Sequence, residues 1–74
     1  MDIELLDLDE KKRFDVKLQI SLYNTAKKVM REDKKQDFEI YMRERIVKIR
    51  KILNLDEGEI RIFENGELIF EVRK

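Results

Sequence analysis

The sequence predicts a small α+β domain with its elements in the order β-α-α-β-β. The stretch Arg13–Leu22, R-F-D-V-K-L-Q-I-S-L, sets Phe14, Val16, Leu18, Ile20 and Leu22 in alternation with Arg13, Asp15, Lys17, Gln19 and Ser21. A period of two is the signature of a strand with one buried and one wet face. From Leu22 the apolar spacing turns helical, twice over, as far as Leu53. Near the end, Asn65-Gly66 lies between two apolar runs and marks a β-hairpin.

Taken in order, residues 1–12 form an acidic arm, in which Ile3, Leu5 and Leu8 suit a short strand or an irregular segment. Asp9-Glu10-Lys11-Lys12 reads as a turn into the strand. A core of strand, helix and helix is expected over 13–55. Leu22, Ala26, Val29 and Met30 follow the i, i+4, i+7, i+8 spacing of an amphipathic helix, with Ser21 or Asn24 as its cap. Glu32-Asp33-Lys34-Lys35-Gln36 has no apolar residue and reads as a solvated connection.

Asp37 suits the N-cap of the second helix, whose stripe runs through Phe38, Tyr41, Met42, Arg45 or Ile46, Ile49 and Leu53, with Val47 and Ile52 widening it. Glu39–Arg43 and Glu44–Lys48 are i, i+4 pairs in the favourable order, each contributing a few tenths of a kcal/mol. Arg50 and Lys51 complement the dipole at the C-terminal end, where Asn54 is the expected cap.

Residues 56–74 form the accessory hairpin. A two-residue loop mixes apolar and charged residues on both faces. A three-residue loop, Glu64-Asn65-Gly66, gathers Ile60, Ile62, Leu68, Phe70 and Val72 on one face, and that register is expected. It leaves Phe63 and Ile69 on the polar face, as a surface for a protein partner.

With 74 residues the chain makes one domain with a marginal core, for which dimerisation is a common remedy. Absence of cysteine excludes disulfides and zinc–thiolate sites, and absence of histidine removes the usual general base and the commonest metal ligand. The only glycines are Gly58 and Gly66, so no glycine-rich loop cradles a phosphate. Acidic pairs such as Asp7/Asp9 have no EF-hand spacing. The expectation is a non-enzyme with no cofactor and no metal. Nothing resembles a signal peptide or a membrane span, which predicts a cytoplasmic protein without membrane association. The wealth of Lys, Glu, Arg and Ile is thermophile-like.

The net charge of zero hides a pattern. Five acids and no base occupy Met1–Glu10, whereas Lys11–Lys35 carries nine basic residues against three acids. A basic middle between acidic ends suits an anion-facing surface, or simply a solvated one.

Val16-Lys17-Leu18-Gln19, followed by Leu22, Ala26, Val29 and Met30 and then by Glu39-Ile40, resembles the ribbon–helix–helix (Arc/MetJ-like) DNA-binding family. There a V-R-L-P-like strand end leads into one helix and an S-E-L/I motif opens the next. The likeness covers residues 13–50, with Gln19 at the family's usual proline, Asp37 where uncharged donors are usual, and Lys34 in place of a loop glycine. It implies an intertwined homodimer whose paired strands bury Phe14, Val16 and Leu18, with Tyr41, in a shared core. Arg13, Asp15 and Lys17 would then reach base edges in the major groove of double-stranded DNA, while Lys11, Lys12, Lys34 and Lys35 contact phosphates.

The expected function is therefore a homodimeric DNA-binding transcriptional regulator. Two alternatives stay open. The first strand can pair inside a monomer, with Arg13, Asp15 and Lys17 merely solvated. The chain can equally be a non-enzymatic protein–protein interaction module, such as a small viral or host-factor inhibitor, or a designed domain without function.

Overall fold

The chain commits to its first helix at Asp9. Its Oδ1 accepts a hydrogen bond from the backbone N–H of Lys12 at 2.8 Å, and its carbonyl accepts one from the N–H of Arg13 at 2.9 Å. Those are the two marks of an N-cap. In the computed structural model, which describes residues 1–29 and 35–73, helix α1 then runs unbroken over Glu10–Val29. Glu10 in its first turn and Lys27 and Lys28 in its last suit the helix dipole. No glycine or proline interrupts it.

Arg13–Leu22 is therefore helical, and the strand expected there is corrected. Apolar residues at every second position line one face of a strand, but at about 100° per residue they also spread around most of a helix. Alternation alone does not choose between the two; the cap and the strong helix formers Glu10-Lys11-Lys12-Arg13 behind it do. Ser21 and Asn24 lie within the helix and start nothing. Met30 falls outside the described residues.

The order β-α-α-β-β holds with a different first strand, β1 at Asp2–Glu4. A 3-10 turn at Leu5–Asp7 follows and drives Leu5 into the core. Helix α2 spans Lys35–Leu53. It starts earlier than expected, so Asp37 sits in its first turn, where a negative charge still meets the positive end of the dipole.

The end of α2 is a full Schellman motif: Leu55 N–H bonds the Arg50 carbonyl at 2.9 Å and Asn54 N–H bonds the Lys51 carbonyl at 3.2 Å. Asn54 makes the left-handed turn, with φ of 58°. Arg50 then reaches past it to the Gly58 carbonyl, at 2.9 Å.

Strands β2 (Ile60–Glu64) and β3 (Glu67–Val72) complete a sheet ordered β1-β2-β3, with β1 parallel and β3 antiparallel to β2. The turn corrects the expected register. Asn65 and Gly66 both have positive φ, 53° and 80°, which defines a two-residue type I′ loop pairing Glu64 with Glu67. A bulge beside Ile62 and Phe63 then shifts the register, so that Ile62 faces Phe70 and Ile60 faces Val72. One core face survives by this means, but Leu68 falls outside it and is exposed. The turn is gripped from β1, because the Glu4 carboxylate accepts from Asn65 N–H at 2.8 Å and Gly66 N–H at 3.1 Å.

Both helices pack on one face of this sheet. Leu5, Val16, Ile20, Ile49, Ile60, Ile62 and Phe70 form the core, with Tyr23 and Leu55 half-buried against it. Tyr23 meets Phe70 edge-on, with ring centroids 5.0 Å apart, a contact that adds about 0.5–1.5 kcal/mol beyond its area.

Truncating Ile49→Ala is expected to cost about 2–5 kcal/mol, read from the urea midpoint. Leu68→Lys is expected to change it by less than about 0.5 kcal/mol, being a surface substitution. Equal losses from the two would place Leu68 in the core and remove the bulged register.

Candidate functional site

Helix α1 carries two apolar rows, and only one of them is used inside the chain. Val16 and Ile20 face the sheet, and Ala26 is buried with them. Phe14, Leu18, Leu22, Thr25 and Val29 form the second row, at spacings of four, four, three and four residues. Phe14 and Val29 are each 67 % exposed and Leu18 45 %. This row lies half a turn round from Val16 and Ile20, so it points directly away from the sheet.

Helix α2 repeats the arrangement. Met42 and Ile49 are buried, while Ile40 and Val47 are exposed on the opposite side. The outer face of the helical layer therefore carries an apolar row on α1 and, beside it on α2, Ile40 and Val47 among charged residues. Near its middle, Leu22, Thr25, Ala26, Val29 and Tyr41 share a shallow hollow.

The polar groups along the seam between the helices are incompletely paired. Arg45 lies 4.7 Å over the Tyr41 ring, and its Nη2 is 3.6 Å from Glu44, with only 12 % of the Arg45 side chain exposed. Its Nε is buried without a hydrogen-bond partner, as is Oε1 of Gln19. A desolvated guanidinium with one long ionic contact is a costly arrangement in an isolated chain.

The residues expected to read DNA do not share one face. Arg13 and Lys17 are one helical turn apart, while Asp15 lies across the helix from both. Arg13 and Asp15 are half-buried; Lys11, Lys12 and Lys17 are exposed. Lys17 Nζ meets Glu64 Oε2 at 2.6 Å, a solvent-exposed pair that ties α1 to the end of β2 weakly. Lys34 lies outside the described residues, and Lys35 begins α2.

The expected dimer core is divided too: Val16 is consumed by the chain's own core, Phe14 and Leu18 are left outside, and Tyr41 is half-buried beside Arg45. Phe63 and Ile69 are half-buried, with Ile69 packed on the core. The sequence places Val29 in one helical stripe and Arg45, as an alternative to Ile46, in the other, and Thr25 in neither; it predicts no outer face that joins them. The four-four-three-four spacing is the signal that points to Thr25 and Val29.

Charge is sorted by layer. Helix α1 has six basic residues against two acids, a balance of +4, and α2 has six against three, +3. Residues 1–9 carry four acids and no base, and residues 54–73 carry six acids against two bases. On the sheet side, Arg73 hydrogen-bonds Glu71 at 3.0 Å, which holds its guanidinium above the ordinary arginine range. Among the described residues no polar or charged residue is fully buried, and no three acidic side chains converge as a metal site would need. No described helix is long and apolar enough to cross a membrane.

Fold and surface together define a two-layer α+β protein in which a helical pair covers one face of a three-stranded mixed sheet and leaves its own outer face open. No family model matches the chain, and neither a curated protein nor a solved structure is detectably similar to it.

The divergence of the two rows on α1 is measurable. Ile20→Glu is expected to abolish the helical far-UV circular dichroism signal, and Leu18→Glu to preserve it at micromolar concentration. A strand over these residues would make the two substitutions equivalent, so matching losses would remove the helical assignment.

Proposed function

We propose that this chain is a non-catalytic protein–protein interaction module whose contact surface is the outer face of its helical pair. The observation that carries the reading is the exposed row Phe14, Leu18 and Val29, continued on α2 by Ile40 and Val47. Five large apolar side chains gathered on one face, with charge around them, are what an interface presents before its partner arrives. Isolated apolar residues would need no explanation. These are aligned along two neighbouring helices, and their burial within the chain is blocked because the sheet already covers the opposite side.

A photo-crosslinking residue placed at Leu18 tests this in the cells that make the protein. It is expected to yield a protein adduct, while the same residue at exposed Arg61, on the sheet face opposite the helices, is not. No adduct at either position would defeat the reading.

A second reading is favoured by the sorted charge: duplex DNA held against the basic helical layer. Reading of bases by paired strands at 13–22 has no support from the helix found there. What supports this version is phosphate attraction by Lys11, Lys12 and Lys28, which carries no sequence preference. Fluorescence anisotropy with a duplex at low salt is the check. Binding that falls steeply with salt and weakens in Lys11→Glu/Lys28→Glu supports it, and no affinity at low ionic strength removes it.

A further inference from the structure

The spacing of the outer face is close to palindromic, and we infer from this that its occupant is a second copy of the same chain, docked antiparallel about a twofold axis. This rests on the outer face being a protein-contact surface, as proposed above. On α1, Phe14 and Val29 are equidistant from a point between Ser21 and Leu22, and so are Leu18 and Thr25. A perpendicular twofold at that point lays Phe14 against Val29 of the second copy and Leu18 against its Thr25, with Leu22 near the axis.

Helix α2 has the same property. Its outward residues are Asp37, Ile40, Glu44, Val47 and Lys51, and they are symmetric about Glu44 to within one residue. The twofold therefore sets Ile40 against Val47 and Asp37 against Lys51, an apolar pair and an opposite-charge pair, each occurring twice.

One axis serves both helices. Tyr41 shares its hollow with Leu22, Thr25, Ala26 and Val29, so it stands level with the middle of that group. One turn farther along antiparallel α2, Glu44 and Arg45 come level with Leu22, within about one residue or 1.5 Å. The axis then passes Glu44 and Arg45, whose ionic contact at 3.6 Å sets a guanidinium beside the place where the two Glu44 carboxylates meet and offsets their repulsion. Two helices about 30 Å long and about 10 Å wide each offer on the order of 600 Å² per chain, near the lower end of stable interfaces. An isologous contact of this kind closes on itself and leaves no second sticky face.

Sedimentation and cysteine pairing test the inference. The chain contains no cysteine, so Ser21→Cys, beside the axis, is expected to form a disulfide-linked dimer under mild oxidation. Asn24→Cys, turned away from the face, is expected not to. The wild-type chain is expected to sediment at twice 9.1 kDa, and Leu18→Glu to raise the dimer dissociation constant by about tenfold or more while retaining helix.

A monomer at 100 μM overturns the second copy; if the Leu18 photo-crosslinker meanwhile captures a different protein, the interaction reading survives without it. A dimer that forms no Ser21→Cys disulfide overturns this twofold. Should Leu18→Glu fail to fold, the contrast between Ser21→Cys and Asn24→Cys still decides.

Discussion

Everything in this chain depends on the seating of Val16 and Ile20 of α1 and Ile49 of α2 on Ile60 and Ile62 of the central strand. Ile60 and Ile62 are essentially inaccessible to solvent, as are Val16 and Ile49. Each such side chain contributes roughly 1.5–3 kcal/mol on burial, and a chain this short has few of them. That contact also sets the rotation of α1. Once Val16 and Ile20 point into the sheet, Phe14 and Leu18 must point away from it, because the helix leaves no other choice of angle. The exposed row is thus a direct consequence of the core and not a separate feature.

The second helix and the hairpin were legible because their signals are local. Phe38, Met42, Ile46, Ile49 and Leu53 repeat at helical spacing, and Asn54 ends the helix in the left-handed conformation that asparagine tolerates. Asn65-Gly66 marks the hairpin, but counting faces without a bulge favours a three-residue loop over the two-residue type I′ turn that forms. The first helix was misread because Phe14, Val16, Leu18, Ile20 and Leu22 satisfy a strand face while leaving a helix amphipathic on two sides. Asp9, three residues before Lys12, is the deciding mark, although Asp9-Glu10-Lys11-Lys12 by itself also suits a turn.

Strand β1 is legible only as one of two options, a short strand or an irregular segment. Its partner in the parallel ladder pairs Ile3 with Ile62, a distance in sequence that no local pattern encodes. The bulge next to Phe63 was equally hidden. It lets an Asn-Gly turn and a common apolar face coexist when simple counting makes them exclusive. Of the outer face, Phe14 and Leu18 are expected as interface residues on a strand, whereas Val29 belongs to the stripe of a helix starting at Leu22, so the expected strand–helix boundary divides one row in two.

An exposed apolar row is a liability that a small protein keeps only where something covers it. Replacing Phe14 and Val29 by lysine or glutamate would cost the core nothing, since neither touches it, and would improve solubility. The surrounding charge makes the same point from the other side. Nearly half of the residues are charged, yet the line from Phe14 through Leu18 and Leu22 to Val29 contains none at its centre. A surface otherwise this polar isolates its apolar strip, and the buried, half-paired Arg45 beside it adds a group that gains from an incoming carboxylate. Desolvating that guanidinium is costly in a lone chain, and a well-placed acid offsets part of that cost. The helical layer is thus satisfied on one side only: its inner rows are covered by the sheet, and its outer rows keep Phe14, Leu18, Val29, Ile40 and Val47 exposed.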